Sequence, residues 1–338
     1  MTEQTPRIWL LLGTKTGDNA QVMRAAQAMG FGFETKRLVL KPEFETAKPK
    51  VSASLEIFTE RARQDLVGPW PDLVITIGRR LSMAALWVKE KSGGKTKIAL
   101  FNAPKGRRDE FDLIVAPAYY DLADSAKLLR IGLPLIAADA EKLAAARDGF
   151  AGTIGALPKP LHVLLLGGDM GSQAMDASFA TDIVRRMRKA HAKTGTIYVS
   201  TSRRTPEAAA VAVAGELRDG DVLYRWTAGD AGNPYYGLLA HGSDFTITAD
   251  SLSMLTEVAR LAKPIAIAAP DSRGGFAQNL LRGLGLGSKR DLDAAARFLI
   301  GLGHAAELGD PLPRPPAPPA DDTLQVAARL RQLVLSES

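Results

Sequence analysis

Along the first part of the chain, apolar residues gather in short runs separated by amphipathic stretches. Ile8–Leu12, Phe33–Leu40, Asp72–Ile77, Lys97–Phe101 and Asp112–Val115 read as strands. They are mostly continuous rather than alternating, the pattern of parallel strands covered on both faces. Helical periodicity lies between them, over Ala20–Met29, roughly Glu56–Leu66, Ser82–Lys91 and roughly Asp121–Leu129. Strand–helix alternation of this kind predicts a doubly wound α/β sheet.

The pattern then restarts. After a short linker bracketed by Pro158 and Pro160, Leu161–Leu166 is an apolar strand running into the glycine loop GGDMGS. Helix Phe179–Lys193, strand Thr196–Ser200, helix Pro206–Leu217, strand Val222–Arg225, strand Phe245–Thr248, helix Ser253–Leu261 and strand Pro264–Ala268 follow. The architecture repeats, although the two halves are unlike in sequence. Pro311 to Pro319 then holds six prolines within nine residues, an extended strap. Beyond it, Asp321 or Asp322 can cap a helix over Thr323–Leu335 with Val326, Ala327, Leu330, Leu333 and Val334 on one face. The expected domains are two Rossmann-like layers, 1–157 and 158–320, with 321–338 as a helix carried back to the first.

Composition narrows the chemistry. The 338 residues are 46% hydrophobic and 24% charged, enough for two buried cores. With no cysteine, disulfides, thiolate metal sites and thiol nucleophiles are excluded. The four histidines (His162, His191, His241, His304) show no metal-ligand spacing, and there is no Gly-x-Ser-x-Gly elbow. His241, just before the strand at Phe245, is placed to touch a ligand, although packing is the plainer role. A net charge of +6 suits anionic partners such as nucleotide diphosphates, while 6% aromatics leaves little for stacking nucleic-acid bases. No apolar run reaches spanning length, so a soluble, cytoplasmic protein is expected, at most peripheral at the inner membrane. Trp70, Trp87 and Phe101 with nearby lysines are candidates for a docking patch.

Several loops carry candidate chemistry. GTKTGDNAQ at 13–21 follows the first strand, and it matches neither the dinucleotide fingerprint nor a Walker A loop. Gly13 and Gly17 allow a tight turn, Lys15 and the amides of the coming helix can hold an anion, and Asn19 lies beside them. Asp18 is either the helix N-cap or a loop-tip carboxylate able to take a proton from an acceptor hydroxyl. Arg79 and Arg80, at the end of a strand, are either a phosphate fork or a surface pair. In the second half, Gly167, Gly168, Gly171 and Ser172 form a loop where backbone can approach a diphosphate, with Asp169 weakening a purely anionic cradle. Ser202, Arg203 and Arg204 precede a helix with Thr205 as its N-cap and Pro206 at its first position. Asp250, Ser251 and Ser253 open the helix that carries Glu257, an arrangement for phosphate at the helix start and ribose hydroxyls one turn in. Caps and a capping-box glutamate read equally well from the same residues.

The combination of GDNAQ, GRR at 78–80, FDLIVAP at 111–117, TSRRTP at 201–206, NPYYGLLA at 233–240 and TADSLSMLTE at 248–257 resembles the bacterial branch of the mitochondrial-fission family named after the plant Elongated Mitochondria protein. The likeness covers roughly Ile8 to Ala268. That family is similar in layout to GT-B glycosyltransferases, including those that transfer sugars to lipid-linked acceptors. The resemblance implies a nucleotide-sugar donor in the second domain, with the diphosphate near Gly167–Ser172 and Ser251–Ser253 and the ribose near Glu257. The acceptor falls on the first domain, near Gly13–Asp18 and Arg79–Arg80. Where a peptidoglycan-type enzyme carries a histidine in the first loop, this chain carries Asp18.

The function expected is therefore an inverting, metal-independent glycosyltransferase with no cofactor beyond its nucleotide-diphosphate-sugar co-substrate. It would act on an envelope or lipid-linked acceptor, with Asp18 as base and Arg203 and Arg204 stabilising the leaving diphosphate. The alternative is a non-catalytic scaffold that binds a protein partner, as the plant relative recruits a fission GTPase. An NAD-type epimerase is opposed by the missing GxGxxG and Tyr-x-x-x-Lys.

Overall fold

The computed structural model describes residues 5–45, 47, 49–170, 174–269 and 291–336, without the side chains of 291–293. The chain forms two compact units, Met1–Ile136 with Ala320–Ser338, and Ala137–Pro319.

In the first unit, β1 (Ile8–Leu12), β2 (Glu34–Arg37), β3 (Leu73–Ile77), β4 (Lys97–Phe101), β5 (Leu113–Pro117) and β6 (Leu128–Ile131) form a sheet in the order β2-β1-β3-β4-β5-β6. All of its pairs are parallel. Every residue of β1, β3 and β5 is buried, which is why these strands read as unbroken apolar runs. Helices α1 (Thr16–Met29), α2 (Glu60–Gln64) and α3 (Gly78–Lys91) lie in the connections.

Sequence periodicity misplaced the edges of this sheet. The strand expected over Phe33–Leu40 narrows to Glu34–Arg37, which pairs with β1 alone and is mostly exposed. The helix expected over Asp121–Leu129 is absent, and Leu128–Ile131 pairs with β5 instead, Leu128 opposite Ile114. So short an apolar run fits either element, and the unpaired backbone along β5 decides the matter.

The second unit contains α4 (Ala140–Gly149), β7 (Leu161–Leu166), α5 (Ala177–Ala190), β8 (Thr196–Thr201), α6 (Glu207–Glu216) and β9 (Val222–Tyr224). It continues with α7 (Tyr235–His241), β10 (Asp244–Thr248), α8 (Leu252–Arg260), β11 (Ile265–Ala268), α9 (Asp291–Gly301) and β12 (Ala305–Glu307). Its sheet is also parallel, in the order β12-β11-β10-β7-β8-β9. The first unit ends at Ile136 rather than at the proline-bracketed linker, because α4 packs on α7 and draws the preceding segment into the second unit.

The last helix, α10 (Thr323–Leu335), belongs to the first unit and packs on α1. Its Val326, Ala327 and Leu330 are fully buried, with Leu333 and Val334 packed beside them. Arg331 donates to the carbonyls of Ala28 and Met29 at 2.7 and 2.6 Å, and Asp322 accepts from the Gly132 amide at 2.7 Å.

Each sheet reverses its strand order once, the first between β1 and β3 and the second between β7 and β10. In open α/β sheets the crevice beyond the carboxyl ends of the strands at such a reversal is where ligands bind. Phe101 is fully buried within β4 and so forms no part of a docking patch. Trp70 stacks edge-to-face with Trp87 and with buried Trp9, at 5.8 and 6.1 Å. No described helix is long and apolar enough to cross a membrane.

Candidate functional site

At the reversal between β7 and β10, three loops of the second unit are knotted around one buried carboxylate. Asp250 accepts from the Gly168 amide at 3.1 Å and from the Thr248 hydroxyl at 2.7 Å, and it pairs with Arg204 at 2.7 Å. The Gly167 amide donates to Thr248 Oγ1 at 2.8 Å. Thr205 Oγ1 lies 2.7 and 2.8 Å from the carbonyls of Leu166 and Gly167 and accepts from the Ser202 amide at 2.9 Å. Ser202 in turn accepts from the Arg204 amide at 3.1 Å.

This knot changes several sequence assignments. A Cβ on Gly167 would stand 2.1 Å from Asp250 Oδ1, and one on Gly168 would stand 2.7 Å from the Arg204 carbonyl. The room these glycines leave is filled by the protein itself, and both amides are already engaged, so neither serves a diphosphate directly. Ser202, Arg204 and Asp250 shape the loops for the same reason. Thr205 is not the helix cap: Pro206 stands at that position, and Thr205 ties β7 to the loop after β8. Asp169 stiffens its turn by accepting from the Met175 amide at 2.8 Å. Gly171 and Ser172 lie outside the described residues.

What remains available at this end of the sheet is compact. Arg203 is exposed, with no hydrogen bond or ion pair among the described residues. Ser251 is the N-cap residue of α8 but makes no side-chain cap bond, and Ser253 lies in the first turn. A helix start leaves its first amides without intrahelical acceptors, and with the dipole they favour an anion. One turn further, Glu257 accepts a hydrogen bond from the Tyr235 hydroxyl. Burial pushes the Glu257 carboxyl up from its usual range, and the Tyr235 bond pulls it back down. Burial, followed by the neighbouring Glu257, raises the Tyr235 phenol well above its ordinary value.

The loop at the first sheet's reversal is built differently from expectation. Helix α1 starts at Thr16 with Lys15 as N-cap, so Gly17 is helical and Asp18 sits in the first turn rather than at the cap. Asn19 closes the loop, since its amide accepts from Gly13 N at 3.0 Å and donates to Gly13 O at 2.8 Å. Asp18 is left as the half-buried carboxylate, raised above its ordinary value by burial and pulled back by Lys15. Arg79 and Arg80 fall in the first turn of α3 rather than in a loop. Arg79 donates to the Pro49 carbonyl at 3.1 Å, and Arg80 donates to those of Glu45 and Ala47 at 2.7 and 2.9 Å. They secure the segment after β2, which accounts for both residues without a ligand.

The histidines are structural. His241 bonds the Arg147 carbonyl at 2.9 Å, tying α7 to α4. Buried His162 presents Nδ1 to Asp244 at 2.8 Å and Nε2 to the Thr194 carbonyl at 3.0 Å. Thr248, Thr205 and Tyr235, which organise the site, each stood within a stretch singled out by resemblance, but only their contacts in the folded chain show what they do.

The family model for Mitochondrial fission ELM1 matches residues 16–333. The chain belongs to that family. The Mitochondrial fission protein ELM1 of Arabidopsis thaliana is 25% identical over 308 residues, covering 83% of this chain and 68% of the relative. Among solved structures, the UDP-GlcNAc 2-epimerase of Methanocaldococcus jannaschii is similar at a TM-score of 0.56 and 12% identity, over 96% of this chain and 99% of its own. The complex of that enzyme with UDP-GlcNAc and UDP gives a TM-score of 0.52 at the same identity and coverage. A glycosyltransferase from Rickettsia africae gives 0.53 at 11% identity, over 99% of this chain and 100% of its own. The chain thus has the two-sheet fold shared by GT-B glycosyltransferases and these epimerases. The missing GxGxxG and Tyr-x-x-x-Lys speak against NAD-type epimerases only, since the archaeal 2-epimerase carries the fold found here.

Proposed function

We propose that this ELM1-family chain is a GT-B-type glycosyltransferase that takes a nucleotide-diphosphate sugar as donor. The observation that carries the reading is the start of α8, where the Ser251 side chain makes no cap bond and Ser253 and the first helix amides stand one turn before Glu257 at the reversal of the second sheet. The diphosphate is assigned to that helix start and to Arg203, and the ribose hydroxyls to Glu257. The likeness in fold to a protein solved with UDP-GlcNAc and UDP supports the same assignment.

The reaction proposed is a single displacement. The acceptor hydroxyl oxygen bonds to the anomeric carbon as the bond from that carbon to the diphosphate oxygen breaks, which inverts the centre. The hydroxyl proton passes to Asp18, and the electron pair leaves on the diphosphate, stabilised by Arg203 and the α8 dipole in place of a metal. Burial suits Asp18 to the base role by moving its pKa towards the working pH. The acceptor assigned is an envelope or lipid-linked hydroxyl, reached by peripheral contact with the membrane.

Thermal melting with UDP, GDP, CDP, ADP and dTDP tests this. One nucleotide at about 100 times its dissociation constant should stabilise the protein by roughly 2.7 kcal/mol, and both Glu257→Ala and Arg203→Ala should abolish the shift. Asp18→Asn should keep the shift while sugar transfer falls by about a hundredfold or more. If no nucleotide shifts the melting curve, the transferase reading fails and the fission-type scaffold takes its place.

A further inference from the structure

The N-P-Y-Y-G stretch at 233–237 has no place in the reaction just described, yet the structure gives a task to each of its residues. Asn233 accepts from the Tyr235 amide at 3.0 Å, and Pro234 occupies the N-cap position of α7. The Tyr236 hydroxyl accepts from the Asp139 amide at 3.4 Å, and its ring meets that of Tyr235 edge-to-face at 5.8 Å. A Cβ on Gly237 would stand 2.6 Å from the Phe150 ring, so α7 lies as close to that ring as a backbone can. Capping, ring packing and close approach all fix one atom in the same place: the Tyr235 hydroxyl, which donates to Glu257 Oε2.

A solvated glutamate gains little from such a partner. A glutamate that must present one oxygen to a ligand gains a great deal, because the carboxylate can otherwise rotate and its rotamers must be lost on binding. With Oε2 held by Tyr235, Oε1 is left with fixed lone pairs, an acceptor for a hydroxyl donor. A sugar hydroxyl one turn beyond a diphosphate at the start of α8 is such a donor.

Resting on the donor site assigned above, we propose that Tyr235 is the positioning residue for Glu257, and that the pair makes the site selective for ribonucleoside over deoxyribonucleoside diphosphates. Loss of the ribose hydroxyl leaves a half-buried, oriented carboxylate oxygen without its donor, which is the costly case for a polar site.

The test is calorimetric titration of the wild-type chain, Tyr235→Phe, Glu257→Gln and the double variant. The ligands are UDP, GDP and ADP, each beside its 2′-deoxy and 3′-deoxy counterparts. The wild type should favour one ribonucleotide over a deoxy form by about tenfold to a hundredfold. Tyr235→Phe, which keeps the ring, should shrink that ratio several-fold. Added to Glu257→Gln, it should shrink the ratio no further, because the two residues act as one unit. A purely structural Tyr235 would weaken all ligands equally and leave the ratio untouched, and that result overturns the proposal while the donor site stands. Absence of binding by every nucleotide overturns the donor site and the role of Tyr235 together.

Discussion

Gly167→Ala is expected to destabilise the second unit by about 3 kcal/mol and to abolish nucleotide binding. The added methyl would stand 2.1 Å from Asp250 Oδ1, a separation no Cβ tolerates. The carboxylate must swing away, which breaks its bonds from the Gly168 amide and the Thr248 hydroxyl and releases Arg204. Those groups hold the loops after β7, β8 and β10 in register, so the start of α8 loses its support at the same time. Hydrogen exchange of the β7 and β10 amides isolates this unit from the other. Asp250→Ala alone should cost about 2 kcal/mol, by leaving buried donors unsatisfied. The double variant should fall short of the sum by about 2 kcal/mol, because the methyl then enters vacated space. Strictly additive values would show that the clash is relieved elsewhere and that Asp250 is not the keystone of the loops.

Asp244→Ala should cost about 3 to 5 kcal/mol, since it strips a buried charge from its partners. Asp244 begins β10 opposite His162 on β7, and both are buried. The two ring nitrogens of His162 face the Asp244 carboxylate at 2.8 Å and the Thr194 carbonyl at 3.0 Å, so the ring is held between the two strands and the loop before β8. His191 lies beside them, its Nε2 3.3 Å from Thr246 Oγ1 and 3.8 Å from Asp244. Asp244→Asn, which keeps the shape and one acceptor, should cost less. A Asp244→Ala variant within about 1 kcal/mol of wild type by urea denaturation would refute the assignment.

The same cluster sets an acid limit. Burial holds the His191 pKa below its ordinary value of 6.5, against the pull of Asp244, with His162 adding to the depression. The unfolded chain therefore takes up this proton first. Stability is intact above about pH 6.5 and falls as pH drops through that value towards the folded pKa, by at most about 1.4 kcal/mol per pH unit for this group. His191→Gln should flatten that part of the profile. An unchanged slope between pH 7 and 5 would show that other groups, such as buried His304 with its lowered pKa, carry the acid response.

The sequence alone determined the α/β class, the two-layer organisation and the return of the last helix. Buried parallel strands must be apolar on both faces, and an amphipathic helix shows its inward stripe, so β1, β3, β7, β8, β10 and α10 were legible from local pattern. The edge strands β6 and β12 were not. They are three or four residues long, and their state depends on an unpaired neighbour far along the chain.

Glycine loops and hydroxyl-rich helix starts were also visible, since both have local signatures, but their division of labour was not. Gly167 needs its bare Cα because Asp250 fills the space, and Arg204 is drawn to that same carboxylate, leaving Arg203 exposed. Asn19 closes on Gly13, Arg80 reaches the carbonyls of Glu45 and Ala47, and Tyr235 reaches Glu257. A side chain's partner is set by which strands become neighbours at the reversal of each sheet. That is a property of the tertiary structure, because hydrogen bonds and close contacts act over a few ångströms of space, whatever their separation along the chain.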